Sequence, residues 1–101
     1  DGNIWVATVF GVLRYSGTGW RVFSKHDGLC SYGAIAAEVD KNGRRWFATD
    51  DGVSSFDGIN WTCYTGDNGL ASNGVTSIAV EPDGTLWFGT GEAGVSRLSF
   101  E

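Results

Sequence analysis

The sequence predicts an all-β protein made of β-propeller blades, each blade being a four-stranded antiparallel sheet that corresponds to one 41-residue repeat. Three tryptophans, Trp5, Trp46 and Trp87, follow one another at intervals of 41 residues, and a similar phrase surrounds each of them. A period of about 40 to 45 residues with turn signals and a regularly placed Trp is typical of propeller blades and not of helical solenoids. The chain contains one Pro and no stretch with an apolar period of 3.6 residues, which also favours strands.

Short β-branched or aromatic runs between Gly, Asn and Asp clusters define the individual strands. Asn42-Gly43, Asp57-Gly58 and Asp83-Gly84 are turn signals, because they supply the positive φ that tight hairpins need. If the innermost strand of a blade is A and the outermost is D, the strand order reads BCD, ABCD, ABC. The predicted strands cover residues 3–8, 11–15, 20–24, 34–40, 44–49, 52–57, 61–65, 75–81, 85–90 and 94–100.

The repeat predicts a single propeller segment over residues 1–101, with repeats at 1–41 and 42–82 and a partial repeat at 83–101. This amounts to about two and a half blades, whereas a closed propeller has at least four. Two incomplete blades leave an apolar face at each end, and such faces are rare on soluble monomers. We therefore expect either an excerpt of a longer propeller or a closed homo-oligomer of two to four chains.

The five tryptophans are interpreted as structural residues. Trp5, Trp46 and Trp87 are expected between blades, where one indole buries on the order of 200 Å². Trp20 and Trp61 are expected on outermost strands, where packing is favoured over stacking against a sugar.

The repeat resembles a known family. The string Asp83-Gly84-Thr85-Leu86-Trp87-Phe88-Gly89-Thr90, a Gly-Val pair, an aromatic-ended strand and the string Gly69-Leu70-Ala71-Ser72-Asn73-Gly74-Val75 are similar to the two-component regulator propeller repeat. The resemblance covers the full chain. It implies the sensor propeller of a bacterial hybrid histidine kinase or a related regulator, and hence a periplasmic or extracytoplasmic location for the parent protein. The first repeat departs from the pattern at Tyr32, which corresponds to Asn73, and at residues 9–10, where a Gly or acidic loop is usual.

Composition and charge narrow the partners and cofactors. The formal net charge is −5, and no basic stripe is present that could displace counterions from a nucleic acid or bind an anionic membrane. No cofactor and no metal are expected, since His26 is the only histidine and no CxxC spacing occurs. Cys30 and Cys63 occupy non-equivalent places in the repeat, and we expect two unpaired thiols, with a disulfide as the alternative.

The candidate ligand-binding surface is the end of the blades at which the D–A and B–C loops converge. A small molecule or a glycan is the expected ligand. The acidic residues of these loops can also be interpreted as paired catalytic carboxylates. However, tight turns favour Asp and Asn in any case. The candidate residues on these loops are His26, Asp27, Tyr32, Asp50, Asp51, Asp67, Asn68, Asn73 and Glu92.

Three classes of function fit these observations. The first is a non-catalytic propeller segment that senses or binds, as the resemblance implies, and no enzymatic activity is expected of it. The second is a structural or engineered fragment whose main property is self-assembly. The third is part of a propeller lyase, a class that needs a catalytic His or Tyr with a metal.

Overall fold

The structure, a computed structural model, describes residues 3–31, 33–65, 74–90 and 94–98. They form ten β-strands and one short 3-10 helix, and no α-helix occurs among them. Every predicted strand is present. Wherever the residues at the predicted and the observed strand end are described, the two ends differ by at most two residues. The elements are β1 (Ile4–Thr8), β2 (Gly11–Tyr15), β3 (Trp20–Phe23), η1 (Lys25–Asp27), β4 (Ala36–Val39), β5 (Arg45–Thr49), β6 (Gly52–Phe56), β7 (Trp61–Tyr64), β8 (Val75–Val80), β9 (Leu86–Thr90) and β10 (Val95–Leu98).

The strands form three antiparallel sheets, which are the predicted partial, complete and partial blades. The first sheet has the order β1-β2-β3, the second β4-β5-β6-β7 and the third β8-β9-β10. Trp5, Trp46 and Trp87 lie on β1, β5 and β9, the B strand of each blade. The fold is therefore an all-β partial propeller.

Glycines with positive φ close the hairpins, as the turn signals predict. Gly43, Gly58 and Gly84 have φ values of 86°, 108° and 96°, and among the described residues only glycines have positive φ. Gly52 opens β6 at φ 118°, and a Cβ there would lie 2.3 Å from the carbonyl oxygen of Tyr64. The hairpins thus depend on glycine both for backbone conformation and for close approach.

The first and second sheets pack through an aromatic cluster. Phe23 and Phe56 are buried, with ring centroids 5.4 Å apart, and Trp5 stacks on Phe23 at 5.6 Å. Trp61 closes the outer side of the cluster, 4.6 Å from Phe56. The other buried members of the cluster are Val12, Leu29, Ala34 and Phe47.

The second and third sheets pack around Trp46, whose side chain is completely buried. Its indole lies 5.4 Å from the ring of Tyr64 and 6.0 Å from that of Phe88. Trp87 is the equivalent residue on the third sheet, but no described sheet follows it and it is 37% exposed. At this position of the repeat the indole is thus fully buried on the second sheet, partly buried on the first and exposed on the third, beyond which no sheet is described.

Trp20 and Trp61 show the same effect on the opposite face of the blades. Both are the first residue of a D strand, β3 and β7 respectively. Trp61 packs against the preceding sheet, whereas Trp20 has no described sheet before it and is 58% exposed.

Cys30 and Cys63 form a disulfide, and the prediction of two unpaired thiols is wrong. The segment after η1 does not stay above its own sheet but crosses to the second sheet, where the backbone N–H of Cys30 donates to Ser54 Oγ at 2.7 Å. This crossing places the Cα atoms of the two cysteines 5.5 Å apart. Equivalence within the repeat cannot reveal the pairing, because the two residues come from different positions of successive repeats.

Candidate functional site

The B–C turns at one end of the sheets are built from a recurring Thr-x-x-Gly unit. In the second sheet the hydroxyl of Thr49 donates to the carbonyl of Gly52 at 2.8 Å and accepts from the backbone N–H of Asp51 at 3.1 Å. Thr8 makes the same two bonds in the first sheet, to the carbonyl of Gly11 and from the N–H of Phe10. The hydroxyl fixes the turn, so the two central side chains of each turn project from this end of the protein.

The segment of residues 24–33 joins the first sheet to the second across the same end. Ser24 and Asp27 form a capping box on η1, in which Asp27 accepts from the N–H of Ser24 at 2.9 Å. Leu29 is buried and the Cys30–Cys63 disulfide ties the segment to β7. These contacts hold the loop across the gap between the two blades.

A surface pocket of about 210 Å³ lies where this loop meets the two B–C turns. Its polar wall is a pair in which the hydroxyl of Ser31 donates to Asp50 Oδ1 at 2.6 Å. Its apolar wall is supplied by Val9 and Ile35, which are 68% and 56% exposed. We call the lining residues Val9, Ser31, Gly33, Ile35 and Asp50 the loop-end pocket.

Gly33 is the residue that allows the loop to pass so close to the first sheet. A Cβ at this position would lie 2.2 Å from the carbonyl oxygen of Val9. The next residue, Ala34, donates its N–H to the carbonyl of Thr8 at 2.7 Å, and Ile35 donates to that of Ala48 at 2.9 Å. The floor of the pocket is thus backbone hydrogen-bonded to both blades.

The loop-end pocket can accept hydrogen bonds and cover an apolar surface. Because Ser31 occupies one lone pair of the Asp50 carboxylate, the others remain available to a donor on a ligand. Phe10, which follows Val9 on the same turn, is 86% exposed. The volume is below the several hundred Å³ of typical pockets for drug-sized molecules, so one ring or a short chain of a larger ligand fits here.

The structure brings only some of the predicted site residues together. Asp50 lines the pocket and Asp51 is exposed beside it on the same turn. Asp27 instead caps η1 and forms an ion pair with Arg21 at 3.4 Å, and His26 is exposed on η1. The remaining predicted residues, Tyr32, Asp67, Asn68, Asn73 and Glu92, lie outside the described residues.

An acidic residue that the repeat pattern alone did not single out organises both described A–B turns. Asp40 is buried, and Oδ2 accepts from the indole N–H of Trp46 at 2.9 Å and from Arg44 Nε at 3.1 Å. Its other oxygen, Oδ1, accepts from the backbone N–H groups of Asn42 and Arg44 at 2.9 and 3.0 Å. In the third sheet Glu81 accepts from the indole of Trp87 in the same way. The missed signal was an acid six residues before a repeat Trp, present twice.

These bonds change the acidity of Asp40. Burial by itself raises the pKa of this carboxyl, but the hydrogen bonds from Trp46, Asn42 and Arg44 and the charge of Arg44 outweigh burial. The pKa of Asp40 therefore lies below its usual value of 3.8, and the group is a structural carboxylate and not a proton donor near neutral pH.

No group of three or more His, Cys, Asp or Glu side chains that could hold a metal ion occurs in the described ranges. In the same part of the chain, no helix is long and apolar enough to cross a membrane.

Residues 69–92 match the family model described as "Two component regulator propeller". This stretch contains both strings on which the resemblance rests, and the resemblance is confirmed. No curated protein matches the chain.

Among solved structures, the chain is similar to the extracellular domain of a protein described as a hybrid two component system from B. thetaiotaomicron, with a TM-score of 0.81 and 25% sequence identity. The similarity covers 92% of this chain and 14% of that one. This chain thus spans about one seventh of the length of the chain that it matches.

Proposed function

We propose that the 101 residues act as one non-catalytic propeller segment that binds a ligand at the loop-end pocket, as part of an extracytoplasmic sensor. The observation that carries the proposal is the pocket itself, in which exposed Val9 and Ile35 face the Ser31–Asp50 pair on a disulfide-tied loop. The similarity to an extracellular domain of a two component system supports a sensing role.

The pocket chemistry favours a neutral or cationic ligand with hydroxyl or amine donors and one apolar face. Asp50 and Asp51 concentrate negative charge at this end of a chain whose formal net charge is −5, which disfavours anions. A small molecule or one residue of a glycan meets this description. The Cys30–Cys63 disulfide supports an oxidising and hence extracytoplasmic compartment.

We also propose that copies of the chain associate head to tail into a closed homo-oligomer of two to four chains. The free face of the first sheet carries a continuous set of exposed or half-exposed apolar side chains: Ile4, Val6, Leu13, Tyr15, Trp20 and Val22. The free face of the third sheet exposes Trp87 and Val95. At both internal interfaces, the faces equivalent to these two pack against each other. The repeat therefore makes the two free faces complementary to each other.

Binding is tested by NMR titration of the chain with neutral monosaccharides, short neutral oligosaccharides and alkyl amines as probes. The proposal expects saturable shifts of the backbone amides of Val9, Ile35 and Asp50, and a marked loss of affinity in Asp50→Asn. Asp57→Asn is the matched control, since Asp57 lies in an exposed β6–β7 turn and is not part of the pocket. If none of the probes shifts these three amides at millimolar concentration, the proposed site is contradicted.

A further inference from the structure

The Cys30–Cys63 disulfide has one exposed and one buried half. Cys63 lies on β7, the outermost strand of the second sheet, and is exposed, whereas Cys30 is only 9% exposed. A thiolate in solution therefore reaches the sulfur of Cys63 more easily than that of Cys30. Exposed disulfides belong to the class that is most readily reduced.

Both sulfurs can be accommodated as thiols in the folded protein. Cys30 Sγ lies 3.2 Å from the carbonyl oxygen of Val53, to which a thiol at this position can donate. The thiol of Cys63 would meet water on the exposed strand. Cleavage of the bond therefore leaves no buried sulfur without a partner, and the reduced chain can stay folded and be oxidised again.

The blades do not need this bond for their own fold. The positions equivalent to Cys30 and Cys63 in the neighbouring repeats are Ala71 and Val22, neither of which can form a disulfide. β7 pairs with β6 through main-chain groups, which are the same in both redox states. Breaking the bond thus frees the loop and leaves the sheet paired.

The bond fixes the residue that forms the polar wall of the loop-end pocket. Ser31 directly follows Cys30 and donates to Asp50 Oδ1 at 2.6 Å. Without the disulfide, residues 24–31 are held on the second sheet by noncovalent contacts, chiefly the burial of Leu29 and the bond from the N–H of Cys30 to Ser54 Oγ. Reduction therefore restores conformational freedom next to Asp50.

We propose that Cys63 is a site of thiol–disulfide exchange, and that exchange there frees residues 24–31 and weakens the loop-end pocket. A thiolate of a dithiol reductant attacks Cys63 Sγ, the Sγ–Sγ bond breaks, and its electron pair leaves on Cys30, which takes a proton from water. The second thiolate of the reductant then attacks the mixed disulfide and releases the thiolate of Cys63.

The reductant gives two electrons to the chain and becomes a disulfide itself. A protein with a Cys-x-x-Cys dithiol or a small dithiol can supply them. The weakening of ligand binding rests on the proposed function, whereas the freeing of the loop does not.

Two single variants of the full chain test the site of exchange. Cys30→Ser leaves the thiol of Cys63, and Cys63→Ser leaves that of Cys30. In the folded protein iodoacetamide should react with Cys63 at least about tenfold faster than with Cys30, and the two rates should become similar in urea. An equal or faster rate at Cys30 in the folded protein would overturn the proposal.

Backbone order parameters from NMR relaxation test the freeing of the loop. On reduction with dithiothreitol, those of residues 25–31 should fall from about 0.85 towards about 0.6, while those of β5 and β6 stay unchanged. The double variant Cys30→Ser/Cys63→Ser is the control, which should match the reduced chain and not respond to dithiothreitol. Unchanged order parameters in the loop, or unfolding of β5 and β6 on reduction, would overturn the proposal.

Titration of both redox states with neutral monosaccharides and alkyl amines tests the pocket. Reduction should weaken binding at Asp50 about tenfold, because the site is no longer preorganised. Equal affinity of a probe for the two states would overturn the control of the pocket. If no probe binds in either state, the proposed function fails, and the alkylation rates and order parameters decide the exchange site by themselves.

Discussion

Replacing Asp40 by Asn should destabilise the protein strongly although the two side chains have nearly the same shape. An Asn carbonyl in place of Oδ1 keeps the bonds from the backbone N–H groups of Asn42 and Arg44. Its NH₂ group then faces Arg44 Nε–H and the Trp46 indole N–H, which are both donors. Two hydrogen bonds to a charged acceptor are lost inside the protein, at about 1.5 to 3 kcal/mol each, so the free energy of unfolding should fall by about 3 to 6 kcal/mol.

The assay is urea unfolding followed by far-UV circular dichroism and tryptophan fluorescence at one protein concentration. Asp57→Asn is the matched control. Asp57 Oδ1 accepts from the N–H groups of Ile59 and Asn60 in an exposed turn, and an Asn carbonyl can accept both. The reasoning is refuted if Asp40→Asn leaves the urea midpoint unchanged, or if both variants shift it equally.

The pH dependence gives an independent check on the same carboxyl. Because the pKa of Asp40 is lowered on folding, its contribution to stability is complete above the unfolded-state pKa and is lost as pH falls through the lower folded-state pKa. Asp40→Asn should therefore lose less stability than the unmodified chain as the pH falls below about 4. Equal acid sensitivity of the two proteins would mean that another group dominates this range.

Three further substitutions test the packing, the disulfide and a hairpin. Trp46→Ala should lower the free energy of unfolding by about 3 to 5 kcal/mol, measured by urea unfolding, because the indole is fully buried. Thiol titration of the denatured, unreduced protein should find no free thiol at Cys30 or Cys63, and replacing both by Ser should cost about 3 to 4 kcal/mol from the loop entropy of a 33-residue separation. Gly52→Ala should lower the melting temperature, because Ala is strained at φ 118° and its Cβ would meet the carbonyl oxygen of Tyr64.

The fold could be predicted from the sequence because its signals are local and repeated. Each strand is bounded by turn residues, and the 41-residue interval between Trp5, Trp46 and Trp87 fixes which strands correspond. Short hairpins then determine the pairing, since neighbouring strands in the chain are neighbours in each sheet.

The disulfide and the pocket could not be predicted in the same way, because both depend on the path of a loop between blades. Cys30 reaches Cys63 only because residues 24–33 cross onto the second sheet, and Ser31 meets Asp50 for the same reason. Asp40 was missed for another reason: an acid before a turn is common in any hairpin, and only its contact with Trp46 shows its role.

Equivalent residues of the repeat differ in solvent exposure, because their neighbouring blades differ. Trp46 is buried and Trp87 exposed although both lie on a B strand, because the third sheet has no described sheet beyond it. Patterning within a blade predicts which face a side chain occupies. Whether that face is covered depends on the neighbouring blade.

The central proposal is that the free faces of the first and third sheets cover one another between copies of the chain. Light scattering coupled to size-exclusion chromatography, run at two concentrations a hundredfold apart, tests it most directly. The account predicts a mass of two to four times the 10.8 kDa of the chain at the higher concentration. A single 10.8 kDa species at both concentrations, with a cooperative thermal melt, would contradict it.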